Sequence, residues 1–211
     1  MKENHIVVNR TARFFTEGTL GENTKRIWLV VHGFGYLAAD FLKSFEELFS
    51  EDDFFIAPEA LNHFYLKAGR DKVGATWMTK EDRLNEIKDY CNYLDDLYAL
   101  FELERYPQAE IIALGFSQGA STVTRWASHT DFKIDKLVVY AGEVAPELLP
   151  LAPHSHLLKS ENYFVFGNND EYFSLELLEQ MNEAYEALRL TTVRFEGKHE
   201  INIDALRKIV G

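Results

Sequence analysis

A serine lies between two glycines directly after an apolar run, in the stretch IIALGFSQGAS at residues 111–121. Gly115, Ser117 and Gly119 make the pattern G-x-S-x-G. This pattern is typical of a nucleophile elbow when a strand leads into it and a helix leads out, because the sharp turn then exposes the serine hydroxyl. EIIALGF has the composition of a strand, and GASTVTRWASH has that of a helix. We therefore predict that Ser117 is a nucleophile rather than a residue of an ordinary turn.

A serine nucleophile needs a base to take its proton and an acid to orient that base. His199 follows a late predicted strand, in TTVRFEGKHE, where a loop can return it to the edge of the sheet that carries the serine. The other downstream histidines are interpreted differently. His129 ends the helix after the serine and should point away, and His154 and His156 form a polar loop pair with no further metal ligand nearby. We predict His199 as the base and no metal site.

For the acid, Asp170 comes directly after the apolar run NYFVFG, again at the carboxyl edge of a predicted strand. Glu171 is the neighbouring rival. Asp131 and Asp135 precede a strand instead, so we expect them at the opposite end of the sheet. The sequence therefore predicts Asp170 as the acid.

A second turn with glycines, His-Gly-Phe-Gly at residues 32–35, follows the apolar run RIWLVV. Such a turn lets a backbone N–H face the substrate oxygen, and together with the N–H of Gln118 it would complete an oxyanion hole. The rival interpretation is a dinucleotide-binding loop, which requires G-x-G-x-x-G. The third glycine of that pattern is absent, and no cofactor is predicted.

Short β-branched and aromatic runs alternate with segments of helical period along the chain. Strands are predicted at 26–31, 53–58, 110–116, 136–142, 162–167 and 191–197, with one or two more within HIVVNRTARFF. Apolar stripes predict helices around 41–49, 87–101, 175–188 and 205–210, the second of them with Cys91 in its core face and a capping box of Thr79 and Asp82. Continuously apolar strands that alternate with helices predict an α/β fold with a mostly parallel sheet.

The segment 59–78, EALNHFYLKAGRDKVGATWM, fits neither period, and we predict a long loop there. It starts at the carboxyl edge of a predicted strand, where α/β folds place ligands. Phe64, Tyr65, Trp77 and Met78 are its candidates for lining a substrate pocket, although packing in the core is an equal alternative for them.

Composition limits the class of protein. The 211 residues suit a single domain, and the net charge of −12 argues against a nucleic acid or an anionic membrane as partner. The single cysteine permits no intramolecular disulfide, the N-terminal stretch has no signal-peptide pattern, and no apolar run is long enough to span a bilayer. These observations predict a soluble cytoplasmic protein.

The stretches VVHGFG, APEAL, GATWM, GFSQGA, GNND and GKH span most of the chain. With them the sequence resembles the small serine esterases of the phospholipase/carboxylesterase family, which includes the acyl-protein thioesterases, within the α/β hydrolases. The resemblance implies one α/β-hydrolase domain over residues 1–211, with helices on both faces of the sheet. It also implies Ser117 as nucleophile, Asp170 as acid, His199 as base, and the backbone amides of Phe34 and Gln118 as the oxyanion hole.

The predicted function is therefore hydrolysis of a small-molecule carboxylic ester through an acyl-enzyme. Two alternatives stay open. The first is a thioesterase or lysophospholipase that acts on longer acyl chains, and the second is a catalytically silent fold that binds a ligand or a protein.

Overall fold

The computed structural model describes residues 1–67, 71–149, 156–173, 181 and 185–211. Within these residues one sheet of seven strands forms the centre of the protein, in the spatial order β1-β3-β2-β6-β7-β8-β9. Its strands are β1 (Phe14–Glu17), β2 (Arg26–Val31), β3 (Asp53–Pro58), β6 (Glu110–Phe116), β7 (Lys136–Tyr140), β8 (Glu161–Gly167) and β9 (Thr191–Phe195). Only β1 runs antiparallel to its neighbour within that sheet. The predicted mostly parallel α/β sheet is confirmed.

The central strands are apolar throughout because both of their faces are covered. In β2, Ile27 and Leu29 face one apolar cluster, whereas Trp28 and Val30 face another on the opposite side of the sheet. A strand buried on both faces has no polar side to alternate with, so its sequence is a continuous apolar run. This is why β2, β3 and β6 lie at their predicted bounds.

Helices cover both faces of the sheet, as predicted. Four α-helices have both of their ends in the described part of the chain: α1 (Ala38–Lys43), α2 (Arg83–Leu100), α3 (Gln118–His129) and α4 (Ile203–Val210). Leu94 of α2 and Trp126 of α3 pack in the cluster on one face. Phe41 of α1 and Leu206 of α4 pack in the cluster on the other. Right-handed parallel connections between strands require this placement of helices on the two sides of the sheet.

The predicted capping box at the start of α2 is wrong. Asp82 is the residue before the helix and has a left-handed backbone, with φ of +48°, and its side chain accepts from Asn85 instead of capping a backbone N–H. Thr79 lies further upstream, where its backbone N–H donates to the carboxylate of Glu86 at 2.6 Å. The helix therefore begins after both predicted capping residues.

The segment 59–78 is not the irregular loop that its pattern suggested. It contains a two-stranded antiparallel hairpin, β4 (Asn62–Tyr65) and β5 (Val73–Thr76), in which Phe64 lies opposite Gly74. Each strand has only four residues, and β4 alternates half-buried with exposed side chains. Strands this short present too few apolar residues for a period to be visible in the sequence.

Other differences concern the ends of the chain and the C-terminal third. Of the one or two leading strands predicted, the described chain has β1 alone. Most of the helix predicted around 175–188, and His154, lie outside the described residues. The helices of the described ranges include none with the length and apolar character needed to traverse a bilayer.

Trp77 lies in the core beneath the hairpin. It is 1% exposed, its ring lies 5.2 Å from that of His32 and 6.1 Å from that of Tyr90, and its indole N–H donates to the His32 carbonyl at 2.8 Å. Of the two roles left open for this residue, the structure places it in core packing.

We expect Trp77→Ala to lower the free energy of unfolding by about 3–5 kcal/mol, because the substitution leaves a cavity in a close-packed region. Urea denaturation measures the change. Leu84→Ala is the control: Leu84 is 77% exposed, and its truncation should cost less than about 0.5 kcal/mol. Equal and small losses in the two variants would show that Trp77 does not support the core.

Candidate active site

Ser117 lies in a strained turn between β6 and α3. Its φ of +53° and ψ of −118° are unusual for a residue with a side chain. A Cβ at Gly115 would lie 2.1 Å from the carbonyl oxygen of Gly119, and a Cβ at Gly119 would lie 2.2 Å from that of Val31. Both glycines are therefore required by close backbone contacts, as the elbow pattern predicts.

The loops that follow β2 and β7 also contact the serine. Its backbone N–H donates to the carbonyl of Tyr140, the last residue of β7, at 2.9 Å. A Cβ at Gly142, after β7, would lie 2.3 Å from the Ser117 carbonyl oxygen, and one at Gly33, after β2, would lie 3.1 Å from the Ser117 Cβ. The serine thus lies where the carboxyl ends of three neighbouring strands meet, half-buried rather than sealed in the core.

Asp170 and His199 form a hydrogen-bonded pair at the same edge of the sheet. The Asp170 carboxylate, on the loop after β8, is fully buried and lies with Oδ2 2.8 Å from Nδ1 of His199. Its Oδ1 accepts from the backbone N–H of Tyr172 at 3.0 Å. Glu171 is exposed. The structure therefore brings Asp170, and not its rival, to the histidine.

The imidazole of His199 lies between two aromatic rings. Its centroid is 4.8 Å from that of Phe116 and 4.6 Å from that of Tyr172. Phe116 directly precedes Ser117, so the imidazole packs beside the elbow. The loop that carries His199 is also fixed further on, because the N–H of Asn202 donates to the Tyr140 hydroxyl oxygen at 2.7 Å. The side chain of His199 is 20% exposed, which leaves its outer edge accessible.

The glycine turn after β2, residues 32–36, is here named the oxyanion loop, after the role that the sequence predicts for it. Gly35 has a φ of +80°, which favours glycine, and its N–H donates to the carbonyl of Ala75 in the hairpin at 2.9 Å. Ala75 donates in turn to the carbonyl of Tyr36 at 3.2 Å. The hairpin thus pairs with this loop. On the other side, the N–H of Gln118 is the first of α3 and has no acceptor within the helix.

His32 anchors the start of the oxyanion loop through a buried neutral ring. Nδ1 lies 2.8 Å from the carbonyl of Gly33, and Nε2 accepts from the N–H of Ala60 at 3.0 Å. These partners require the proton on Nδ1 and none on Nε2. Burial lowers the pKa of His32 to about 4, which keeps the ring neutral at neutral pH.

Comparison with known proteins agrees with the fold described above. A family model described as "alpha/beta hydrolase fold" matches residues 29–195, most of the chain. The chain belongs to the alpha/beta hydrolase fold family. A search of curated proteins gave no match.

Solved structures share the architecture of this alpha/beta hydrolase. Zea mays acyl-protein thioesterase 2 is 14% identical over 94% of this chain and 96% of its own, with a TM-score of 0.69. The Bacillus cereus carboxylesterase is 18% identical over 95% of this chain and 92% of its own, with a TM-score of 0.67. A phospholipase/carboxylesterase from Dyadobacter fermentans is 18% identical over 94% of each chain, with a TM-score of 0.62. At such low identities the likeness establishes the fold.

The residues named as pocket candidates in this hydrolase have different environments. Phe64 stacks on Phe34, with centroids 4.9 Å apart, beside the oxyanion loop. Tyr65 is 57% exposed. Met78 is half-buried against the core cluster that contains Trp77. Phe64 is therefore half-buried beside the loop, Tyr65 is exposed on the same strand, and Trp77 is not an exposed wall.

Other candidates from the sequence lie elsewhere in the fold. His129 is the last residue of α3, and Asp135 pairs with Ile111 near the amino ends of β6 and β7. Burial raises the pKa of the Cys91 thiol to about 12, so that it is a poor nucleophile. Among the described residues, one surface group has the side chains and proximity to hold a metal ion: it consists of Glu3, His5 and Asp82.

Sequence reasoning missed the residues that fix the site through long-range contacts. These are the His32 ring, the Tyr172 ring on His199, the Tyr140 hydroxyl and the side chain of Gln118, which bonds to the end of β5. The pattern HGFG was a signal for the loop but not for the role of its histidine.

We expect the stability of the protein to fall as the pH drops from about 6.5 towards 4. The unfolded chain protonates His32 near the ordinary value of 6.5, whereas the native state resists protonation down to about 4, so the unfolded state binds more protons in this window. The shift corresponds to about 3 kcal/mol. NMR titration of the His32 ring, with the unfolding free energy followed across the same pH range, measures both effects.

Replacement of an exposed histidine, His129→Gln, should leave this pH dependence in place. A His32 ring that titrates near 6.5 in the native protein, or that carries its proton on Nε2, would contradict the anchoring described above.

Proposed function

We propose that this alpha/beta hydrolase cleaves carboxylic esters through an acyl-enzyme formed on Ser117. The observation that carries the proposal is the strained serine, held in its turn by glycines and directly following Phe116, whose ring packs against His199. Strained backbone persists only where the surroundings impose it, and it concentrates at functional sites. This also argues against a catalytically silent binding protein.

In the first step His199 Nε2 takes the proton of the Ser117 hydroxyl as its oxygen attacks the ester carbonyl. The imidazolium then gives that proton to the leaving alkoxide as the ester bond breaks. In the second step the imidazole takes a proton from water, the hydroxide attacks the acyl-enzyme, and the proton returns to Ser117. Asp170, bonded to Nδ1 at 2.8 Å, holds the tautomer that leaves Nε2 free and stabilises the imidazolium.

The negative charge that develops on the carbonyl oxygen needs donors that are already in place. The first N–H of α3, from Gln118, and the N–H of Phe34 in the oxyanion loop are proposed for this role. The positive end of the α3 dipole adds to the stabilisation. No metal ion or cofactor is required by these steps.

The substrate class is proposed from the solved structures with a similar fold and from the net charge of the protein. The neighbours include a carboxylesterase and a phospholipase/carboxylesterase, which favours a small-molecule ester. The net charge of −12 disfavours nucleic acid as a partner.

With one cysteine in the chain and therefore no intramolecular disulfide, we propose a cytoplasmic location.

A second candidate function is hydrolysis of acyl thioesters or lysophospholipids with longer acyl chains. The observation that favours it is a group of exposed apolar side chains on and beside the oxyanion loop. These are Phe34, Tyr36, Tyr65 and Leu66, each more than two fifths exposed. A panel of p-nitrophenyl esters of increasing chain length, with thioesters alongside, distinguishes the two candidates.

We expect Ser117→Ala to abolish ester hydrolysis while it leaves the melting temperature nearly unchanged, and a serine-directed phosphonate to label Ser117. His199→Ala should be as severe, and the double variant little worse than either, because the members of such a site act as one unit. Ser128→Ala, on the same helix, is the matched control and should remain active. Labelling of another serine, or activity that survives in Ser117→Ala, would refute the assignment of the nucleophile.

We expect Asp170→Asn to reduce kcat by up to about 10⁴-fold, the loss known for the equivalent change in a serine protease, because an amide stabilises the wrong tautomer. Glu171→Gln is the neighbouring control and should have little effect, since Glu171 is exposed. Steady-state kinetics of both variants on one ester decide the matter. The reverse order of severity would identify Glu171 as the acid.

A further inference from the structure

The side chain of Gln118 is bonded to the short segment that ends the hairpin. Its amide nitrogen lies 3.0 Å from the Thr76 hydroxyl and donates to the carbonyl of Met78 at 2.9 Å. Its amide oxygen accepts from the backbone N–H of Trp77 at 3.2 Å. An amide combines two N–H donors and a carbonyl acceptor, so one side chain serves three partners in succession.

The same segment holds the oxyanion loop. Ala75 exchanges two backbone hydrogen bonds with that loop, at 2.9 and 3.2 Å. The indole of Trp77 donates to the loop's first carbonyl at 2.8 Å. Phe34 lies in sequence between these anchored positions, so its peptide is restrained from both sides by residues 75–77.

We propose that Gln118 is a positioning residue that sets the spacing of the two oxyanion donors, an inference that rests on the serine hydrolase function proposed above. Its backbone N–H is one donor. Its side chain holds residues 76–78, and through them the loop that carries the other donor, the N–H of Phe34. One residue thereby connects both halves of the hole.

The contacts of the Gln118 side chain are expected to affect the stability of the transition state more than the binding of the substrate. Donors stabilise the oxyanion when they lie about 2.7–3.1 Å from the place where the charge develops, which differs from the position of the ground-state carbonyl oxygen. A drift of the loop by a few tenths of an ångström therefore weakens binding of the transition state more than binding of the substrate. Loss of the side-chain contacts should lower kcat with little change in KM.

The first test is Gln118→Leu, which removes the amide but keeps a similar volume and the backbone N–H. We expect kcat to fall about 10- to 100-fold, less than the loss of a whole donor, with KM nearly unchanged. The inhibition constant of a trifluoromethyl ketone, which forms a tetrahedral adduct with the serine, should rise by the factor by which kcat/KM falls. Gln118→Glu should be as damaging, because a carboxylate cannot donate to the Met78 carbonyl.

The matched control is Gln108→Leu. Gln108 is exposed and its amide donates to the carbonyl of Glu22 at 3.2 Å, in a turn before β6. We expect this variant to keep the kcat, the KM and the inhibition constant of the wild type.

A second pair of variants approaches the contact from the hairpin and serves if Gln118→Leu does not fold. Thr76→Val removes the hydroxyl that lies against the amide, and Thr76→Ser keeps it. We expect the valine variant to lower kcat and the serine variant to retain it. Thr76→Val should cost less in a Gln118→Leu background than alone, since its contact with the amide is already lost there and only the bond of its hydroxyl to the Met78 carbonyl, at 3.0 Å, remains to be removed.

A folded Gln118→Leu variant with wild-type kcat, or one in which only KM rises, would overturn the positioning role and leave the hydrolase proposal intact. So would a Thr76→Val variant with full activity if Gln118→Leu does not fold. Absence of ester and thioester hydrolysis by the wild-type protein, with no phosphonate labelling of Ser117, would overturn both proposals together.

Discussion

The close approach of backbone segments around the elbow is the constraint on which the site depends. α3 enters so near β2 that a methyl group at Gly119 would lie within 2.2 Å of the Val31 carbonyl, and one at Gly115 would press against the first turn of the helix. Any side chain there would move the helix away from the edge of the sheet. The glycines have only a hydrogen atom in place of a side chain at these contacts. The serine, the first amide of α3 and the loop after β2 can therefore lie close together.

Much of the fold could be predicted because its elements are local in the sequence and strongly patterned. β2, β3 and β6 are apolar from end to end, since both of their faces are buried, and their bounds follow from composition. The spatial meeting of Asp170 with His199 could also be anticipated. Both residues follow strands of one parallel sheet, and the carboxyl ends of such strands share an edge.

The hairpin and its contacts could not be predicted, for two physical reasons. Its strands are four residues long, so neither apolar period nor length distinguishes them from a loop. Its role at the site depends on pairs that are distant in the chain, such as Gln118 with Thr76, 42 positions apart. A glutamine in a motif does not indicate its partner, and the left-handed backbone of Asp82 likewise has no local signal, which explains the wrong capping box.

The hairpin of β4 and β5 is closely packed at one end, here called its foot, and exposed to solvent further along. Its foot, residues 74–76, lies against the oxyanion loop so closely that a side chain at Gly74 would collide with Gly35. Towards the tip, Lys67 and Asp71 are exposed to solvent. Exposed tips tolerate insertion and change of composition. Sequence variation is therefore expected to be unequal along the hairpin: residues 74–76 are constrained by their contact with the loop, whereas exposed positions such as Lys67 and Asp71 are open to directed evolution that leaves this contact unchanged.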